Sequence, residues 1–321
     1  MNLSLLTENL TNPALLFFFL GIIAVRLKSD LEIPPTSSKF ISMYLLLSIG
    51  FKGGQELSHS DLDMEIFWSL LTGILLALVV PVYSFFILKR KVGIDNAGAV
   101  AASYGSVSAV TFVTAVSLLE IKQMSFGGHM VAVMALMEAP SIIVGVLLIS
   151  IYNKTKGNGN SLGLGKIVKH SVTNGSVLMI MGSLVIGFLA SDQQAEGIKP
   201  FTTDIFKGFL AVFLLDMGIT SGKKLPSFLD NGWSALIFAI VVPLVNGCLV
   251  AATIGIVTDD PGNQFLFAIL AASASYIAVP AAMKLAVPKA NPSLYIPMAL
   301  AITFPFNITL GMPIYMYIIQ G

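Results

Sequence analysis

No charged residue stands between Trp233 and Val257, and the same holds from Ile66 to Leu88 and from Leu294 to Ile318. Each run is long enough to cross a hydrocarbon layer of about 30 Å as a helix. A fourth run, Gly128 to Tyr152, is interrupted by only one acid, Glu138. A chain that repeats such runs has lipid as its main solvent, which excludes an ordinary soluble domain. Composition agrees: 55% of the 321 residues are hydrophobic and 11% charged, against about 25% charged in soluble domains. Eighteen Lys and Arg against seventeen Asp and Glu leave a net charge of +1, so no basic field recruits nucleic acid. The single cysteine, Cys248, cannot make an internal disulfide and reads as a small apolar filler.

Shorter or Gly-, Ser- and Pro-interrupted runs supply further spans: Ala14 to Leu27, Phe40 to Phe51, Ala97 to Ile121, Val177 to Ala190, Phe206 to Ile219 and Phe265 to Val287. The stretch before the first, Met1 to Asn12, contains Glu8 and neither Lys nor Arg, so it is no signal-peptide n-region and the apolar run after it is a first span. The reading is an all-α polytopic membrane protein with ten transmembrane helices. A polar linker at 153–170 divides them into 1–152 and 171–321, five spans each. With the N-terminus outside, fourteen of the Lys and Arg residues fall on cytoplasmic connections and only Lys52, Lys122, Lys199 and Lys207 fall outside. Basic residues accumulate inside, so both termini are expected outside a bacterial cytoplasmic membrane.

The two halves carry the same landmarks in the same order. Ser48, Gly50, Gly54 and Leu57 parallel Asp216, Gly218, Gly222 and Leu225. Trp68-Ser69 and Val79-Val80-Pro81 parallel Trp233-Ser234 and Val241-Val242-Pro243, Ser106 and Ser108 fall opposite Ser273 and Ser275, and Gly145 opposite Gly311. Five spans is an odd number, so the second copy sits upside down relative to the first. Inverted repeats of this kind are a transporter signature.

The fourth span of each half is interrupted by small polar residues, Gly105, Ser106 and Ser108 in one, Ser273, Ala274, Ser275 and Tyr276 ahead of Pro280 in the other. A break at membrane depth is tolerated where the backbone lines a cavity or meets a ligand. Two breaks converging near the midplane would aim helix N-termini and hydroxyls at one point, which suits a small oxyanion and also a dehydrated cation. Two acids, Glu138 and Asp216, lie within spans, where a carboxylate costs at least about 2.5 kcal/mol and so faces a partner or a water path. Sodium or a proton is the economical partner, because a carboxylate with hydroxyl and carbonyl oxygens makes a hard-cation site. Thr111, Glu138, Thr303, Asn307 and Asp216 are the sodium candidates; Glu138 precedes Pro140-Ser141 as Thr303 precedes Pro305 and Asn307. Gly159 to Lys166 fails as a phosphate loop, with Asn160 and Ile167 at required positions, and His59, His129 and His170 have no metal-ligand spacing and are placed at span ends or loops. No cofactor is called for, and no enzyme: no serine has a His or paired Asp at useful spacing.

The run Ala271 to Ala286, followed by Asn291-Pro292-Ser293-Leu294 and Thr303 to Asn307, closely resembles the sodium-dependent bicarbonate transporters; the match covers nearly the whole chain and is sharpest at Ser273 to Ala282 and Thr303 to Asn307. The resemblance implies a homotrimeric symporter of ten helices, with a mobile core domain and a gate domain, that binds bicarbonate and sodium between two broken helices. Cyanobacterial members are inhibited by a small PII-like cytoplasmic protein, which makes such a regulator a candidate partner. One departure touches the anion site: Ala109-Val110 stands where that pattern has Gly-Ser. This removes a hydroxyl and narrows the site.

The leading expectation is inward symport of a small anion, bicarbonate first, with sodium. The alternatives are a symporter or exchanger for another small ion or organic anion, and a channel or membrane sensor. A tag on either terminus is expected to react with an impermeant reagent in intact cells; reaction only after permeabilisation would invert the topology.

Overall fold

The structure is a computed structural model that describes residues 12–59, 63–154, 175–229 and 233–321. The linker beyond Lys154, with the phosphate-loop-like stretch and His170, lies outside the described residues. All regular structure among those residues is helical. Six stretches are long and apolar enough to span a membrane: Met64–Leu88, Ile94–Ile121, His129–Asn153, Asp192–Pro226, Trp233–Ile256 and Pro292–Gln320. Pro13–Arg26 and Gly175–Leu189 are apolar but shorter.

Local sequence explains where the helices begin. Helix α1 (Pro13–Arg26) has Pro at its first position and Asn12 accepting from the Ala14 N–H at 2.9 Å. Helix α2 (Pro35–Ser58) again starts with Pro. Asp63 caps α3 (Met64–Leu88) by accepting from Ile66 N–H. Next come α4 (Ile94–Gly105), α5 (Ala109–Ile121), α6 (His129–Lys154) and α7 (Gly175–Leu189). The short α8 (Asp192–Lys199) carries a Ser191/Gln194 capping box. It leads into α9 (Phe206–Leu229) and α10 (Trp233–Thr253). Asp260 and Pro261 open α11 (Pro261–Ala272), which is followed by α12 (Ala278–Ala286). The last helix, α13 (Pro292–Gln320), loosens into π-helical turns at Met298–Thr303 and Asn307–Gly311. Pro305 and Pro313 lie in and just after this irregular stretch, where each removes one ladder donor.

The helices pack in two groups. In the first, α1 lies against α9 and α2 against α7; in the second, α3, α4 and α6 form one cluster and α10, α11 and α13 another. The first group depends on glycine. A Cβ added at Gly218 would lie 2.0 Å from the Phe18 carbonyl oxygen and one at Gly21 2.3 Å from that of Leu215, so α1 and α9 touch backbone to backbone. The α2–α7 pair repeats the arrangement, with Gly54 against Leu184 and Gly187 against Phe51, each at 2.1 Å. In lipid, where apolar surface alone gives little reason for helices to associate, such close approach is the main source of contact.

Two placements differ from the sequence reading. Helices α2 and α9 run well beyond Phe40–Phe51 and Phe206–Ile219, because Ser38, Lys39, Lys223 and Lys224 line a cavity and keep contact with water while remaining helical. His129, expected at a span end facing the interface, is only 5% exposed; it opens α6 but is roofed by neighbouring segments.

Gly218→Ala is expected to destabilise the purified protein by roughly 1–3 kcal/mol, the usual cost of overpacking. Gly208→Ala, with nothing within 4 Å of the new methyl, should leave the thermal midpoint unchanged or higher.

Candidate functional site

Helix α4 ends at Gly105 and α5 begins at Ala109; helix α11 ends at Ala272 and α12 begins at Ala278. Ser106, Ser108 and Ser273 between them are extended, and several polar groups of the two interruptions bond across them. Ser275 N–H donates to the Ser103 carbonyl at 2.8 Å, while the Ser103 hydroxyl donates to the Ser275 carbonyl. Ser108 N–H donates to the Ser273 hydroxyl at 3.1 Å, and that hydroxyl donates in turn to the Leu270 carbonyl. The two interruptions therefore meet and hold each other in place.

Each helix that stops here also has a carbonyl satisfied from a proline-containing segment. Ser141, next to Pro140 in α6, donates its hydroxyl to the Ala102 carbonyl at 3.0 Å. Asn307, two residues after Pro305 in α13, donates its amide to the Ala272 carbonyl at 2.7 Å. Pro280, from which the sequence suggests a broken helix, lies in the first turn of α12, where a missing N–H is tolerated. The chain leaves helical geometry before it, at 273–277.

Beside the crossing lies a small cavity of about 30 Å³, more than the 10–15 Å³ or so that one water needs. Its polar lining comprises Ser108, Ser275, Tyr276, Ser176 and Glu138, and none of its lining residues is Lys or Arg. Ala109 and Ala278, the first residues of α5 and α12, also line it, so two helix N-termini face the same space. Their first-turn N–H groups are the natural donors for an anion. Ser108 caps α5 by accepting from Thr111 N–H at 3.1 Å.

The sequence candidates fall into four groups. Ser108, Ser275, Tyr276 and Glu138 share the cavity. Ser106, Ser273 and Ala274 lie within the interruptions and Gly105 and Thr111 in the helical turns that flank them; the buried hydroxyls of Ser106 and Thr111 have no hydrogen-bond partner. A buried polar group without a partner is costly, and a bound ion would supply one. A Cβ at Gly105 would strike the Pro81 ring at 2.2 Å and the Ser141 hydroxyl at 2.4 Å, so its role is to let α3 and α6 approach. Thr303 and Asn307 are already committed. Thr303 donates to the Ala239 carbonyl and bonds the Tyr104 hydroxyl, both at 2.7 Å, and Asn307 accepts from the Tyr315 hydroxyl at 3.2 Å. They brace the crossing. Asp216 lies in a different cavity, lined also by Lys39, Lys223 and Lys224, and accepts a hydrogen bond from Ser38 at 2.5 Å.

Sequence reasoning did not single out Ser103, Ser141, Ser176 or Tyr104. Ser103 and Ser141 were adjacent to signals already read, a Gly-Ser cluster and a proline. Ser176 stands at the start of α7, far in sequence from either interruption, and had no local signal. Ala109 lines the cavity and Val110 is buried behind it, so the departure noted at this pair falls on the wall of the site.

Long apolar helices around a small cavity that offers four hydroxyls and one carboxylate suit a membrane protein that handles a small polar solute. Residues 13–320 match the family model of the Na+-dependent bicarbonate transporter superfamily, and the chain belongs to that superfamily. It is a family of transporters and not of enzymes. A search of curated proteins found no match to the chain.

Ser106→Ala and Thr111→Val remove buried hydroxyls that bond nothing, so each should leave the protein's stability unchanged or higher. Thr303→Val, which loses two hydrogen bonds, should cost about 1–3 kcal/mol. Equal losses in all three would remove the distinction between lining and bracing residues.

Proposed function

We propose that the chain is a secondary active transporter that carries a small anion, bicarbonate first, together with sodium, with no covalent chemistry. The observation that carries this reading is the cavity between two helix N-termini, which offers hydroxyls and one carboxylate but no basic side chain. An anion held there by N–H groups and dipoles alone is incompletely neutralised. A cation beside Glu138 completes the charge balance, and by linkage each ion then strengthens the binding of the other. In this reading Ser106, Ser108, Ser273 and Ser275, with the N–H groups around Gly105, Ala274 and Tyr276, hold the anion. Glu138 and Thr111 are the inner ligands for sodium, while Thr303 and Asn307, candidates from the sequence, brace the crossing through Ala239, Tyr104 and Ala272. Asp216 is a vestibule carboxylate that meets ions on the way.

The architecture fits a ten-helix inverted repeat, 1–152 and 171–321 about the linker 153–170. The support is that paired landmarks play equivalent structural parts: a Cβ at Gly50 would lie 2.6 Å from the Ile180 carbonyl oxygen as one at Gly218 would lie 2.0 Å from that of Phe18, and Ser141 and Asn307, each just after a proline, satisfy the two carbonyls. The glycine-packed group α1, α2, α7 and α9 then serves as the gate domain and the remaining helices as the core that carries the ions. The homotrimer, the bacterial inner membrane, both termini outside and a PII-like regulator belong to the same reading through the family resemblance.

The test is uptake of labelled bicarbonate into proteoliposomes with and without an inward sodium gradient. Concentrative, sodium-dependent uptake is expected, abolished by Ser108→Ala; Glu138→Gln should lose the sodium dependence. Sodium binding without bicarbonate movement would change the cargo. Unaltered sodium dependence in Glu138→Gln would overturn the cation site.

A further inference from the structure

Helix α2 lines three cavities in turn, which together outline a candidate route. Ser38, Ser42 and Met43 line the cavity that holds Asp216, Leu46 lines the central cavity, and Ile49, Phe51 and Lys52 line a third cavity. At 1.5 Å per residue the centre lies about 12 Å from Ser38 and about 9 Å from Lys52. The two ends are not alike. Ser176, Tyr276 and Ile277 line both the central cavity and the Asp216 cavity, so those two adjoin. The third cavity shares no lining residue with the central one. Buried Ile49, Phe51 and Val116 stand on its wall, and the route is closed there.

On that closed end a cluster of charges joins the two helix groups. Glu120, at the end of α5, meets Lys52 of α2 at 3.0 Å and Lys207 of α9 at 3.8 Å. Lys52 also sits over the Phe206 ring, 5.1 Å from its centre. Glu120 belongs to the helices that form the crossing, and both lysines belong to the glycine-packed group. A relative displacement of the two groups that opened this end would have to separate these charges.

We propose that Lys52, Glu120 and Lys207 form an ionic latch that holds the route closed at this end while the Asp216 end is open. The proposal rests on the reading of the chain as a transporter, though not on the identity of its cargo. Lys52 and Glu120 are about three-quarters buried, so the pair is screened less than a surface one. Releasing the latch shifts the resting population toward the opposite-facing state.

The experiment uses full-length protein in proteoliposomes, with Cys248→Ala as background and Ser176→Cys as reporter where the open and central cavities adjoin. The rate of labelling by an impermeant maleimide from the Asp216 side reads the population. Glu120→Gln is expected to lower the ratio of Asp216-open to opposite-facing protein about three- to fivefold, which corresponds to roughly 0.7–1 kcal/mol, and to slow labelling in proportion to the Asp216-open population lost. Lys52→Gln with Lys207→Gln, which removes the same pairs from the other side, should do the same and decides the matter if Glu120→Gln does not fold. The exchange Lys52→Glu with Glu120→Lys, in Lys207→Gln, should restore the rate. Unchanged labelling in well-folded variants overturns the latch, even if sodium-dependent uptake is intact. Slowed labelling supports it, even if bicarbonate proves not to be the cargo.

Discussion

A peptide group that leaves helical geometry within a membrane has no water to bond, and the loss is several kcal/mol for each unsatisfied group. Among the described residues the chain leaves helical geometry at 106–108 and at 273–277, buried but for Ile277. Each interruption uses the other as its solvent: Ser275 with Ser103, and Ser108 with Ser273. Neither segment could hold its shape alone. The placement of the cavity, the direction of the two helix N-termini and the positions of the serines all follow from this mutual satisfaction.

Around that crossing the structure divides its polar residues by duty. Some are fully occupied: Ser141 and Asn307 on carbonyls, Thr303 between Ala239 and Tyr104. Others remain without protein partners, notably Ser106 and Thr111. In the proposed reading these are the groups that a bound ion would satisfy. The absence of Lys and Arg from the cavity wall carries equal weight. A fixed cation would hold an anion permanently, whereas a mobile one arrives and leaves with it, as a coupled carrier requires.

The two helix groups are built by different means. One is assembled from backbone contacts at Gly21, Gly54, Gly187 and Gly218, which leave little room for internal adjustment. The other is cross-linked by side chains, as in the bond from Tyr83 to Asn246 and from Asn246 to the Ala271 carbonyl.

Much of this was legible in the chain. Uninterrupted apolar runs determined the helical membrane class, since only about 20 apolar residues in succession cross the layer without exposing backbone. Small polar residues and prolines within such runs marked the interruptions, and the family resemblance tied them to a class of cargo. The sequence could not say which polar residues face the ions. Thr303 and Asn307 look as available as Ser108 and Glu138 when written out. Their commitment to Ala239, Tyr104 and Ala272 arises from residues distant along the chain. Asp216 likewise reads as an isolated acid in an apolar helix, and the folded chain sets it in a separate cavity with Ser38 and three lysines. Local composition determined where the backbone would break and how the helices would begin. Only the tertiary structure decided which hydroxyls were left free, because hydrogen bonding is a contest among groups that meet only once the chain is folded.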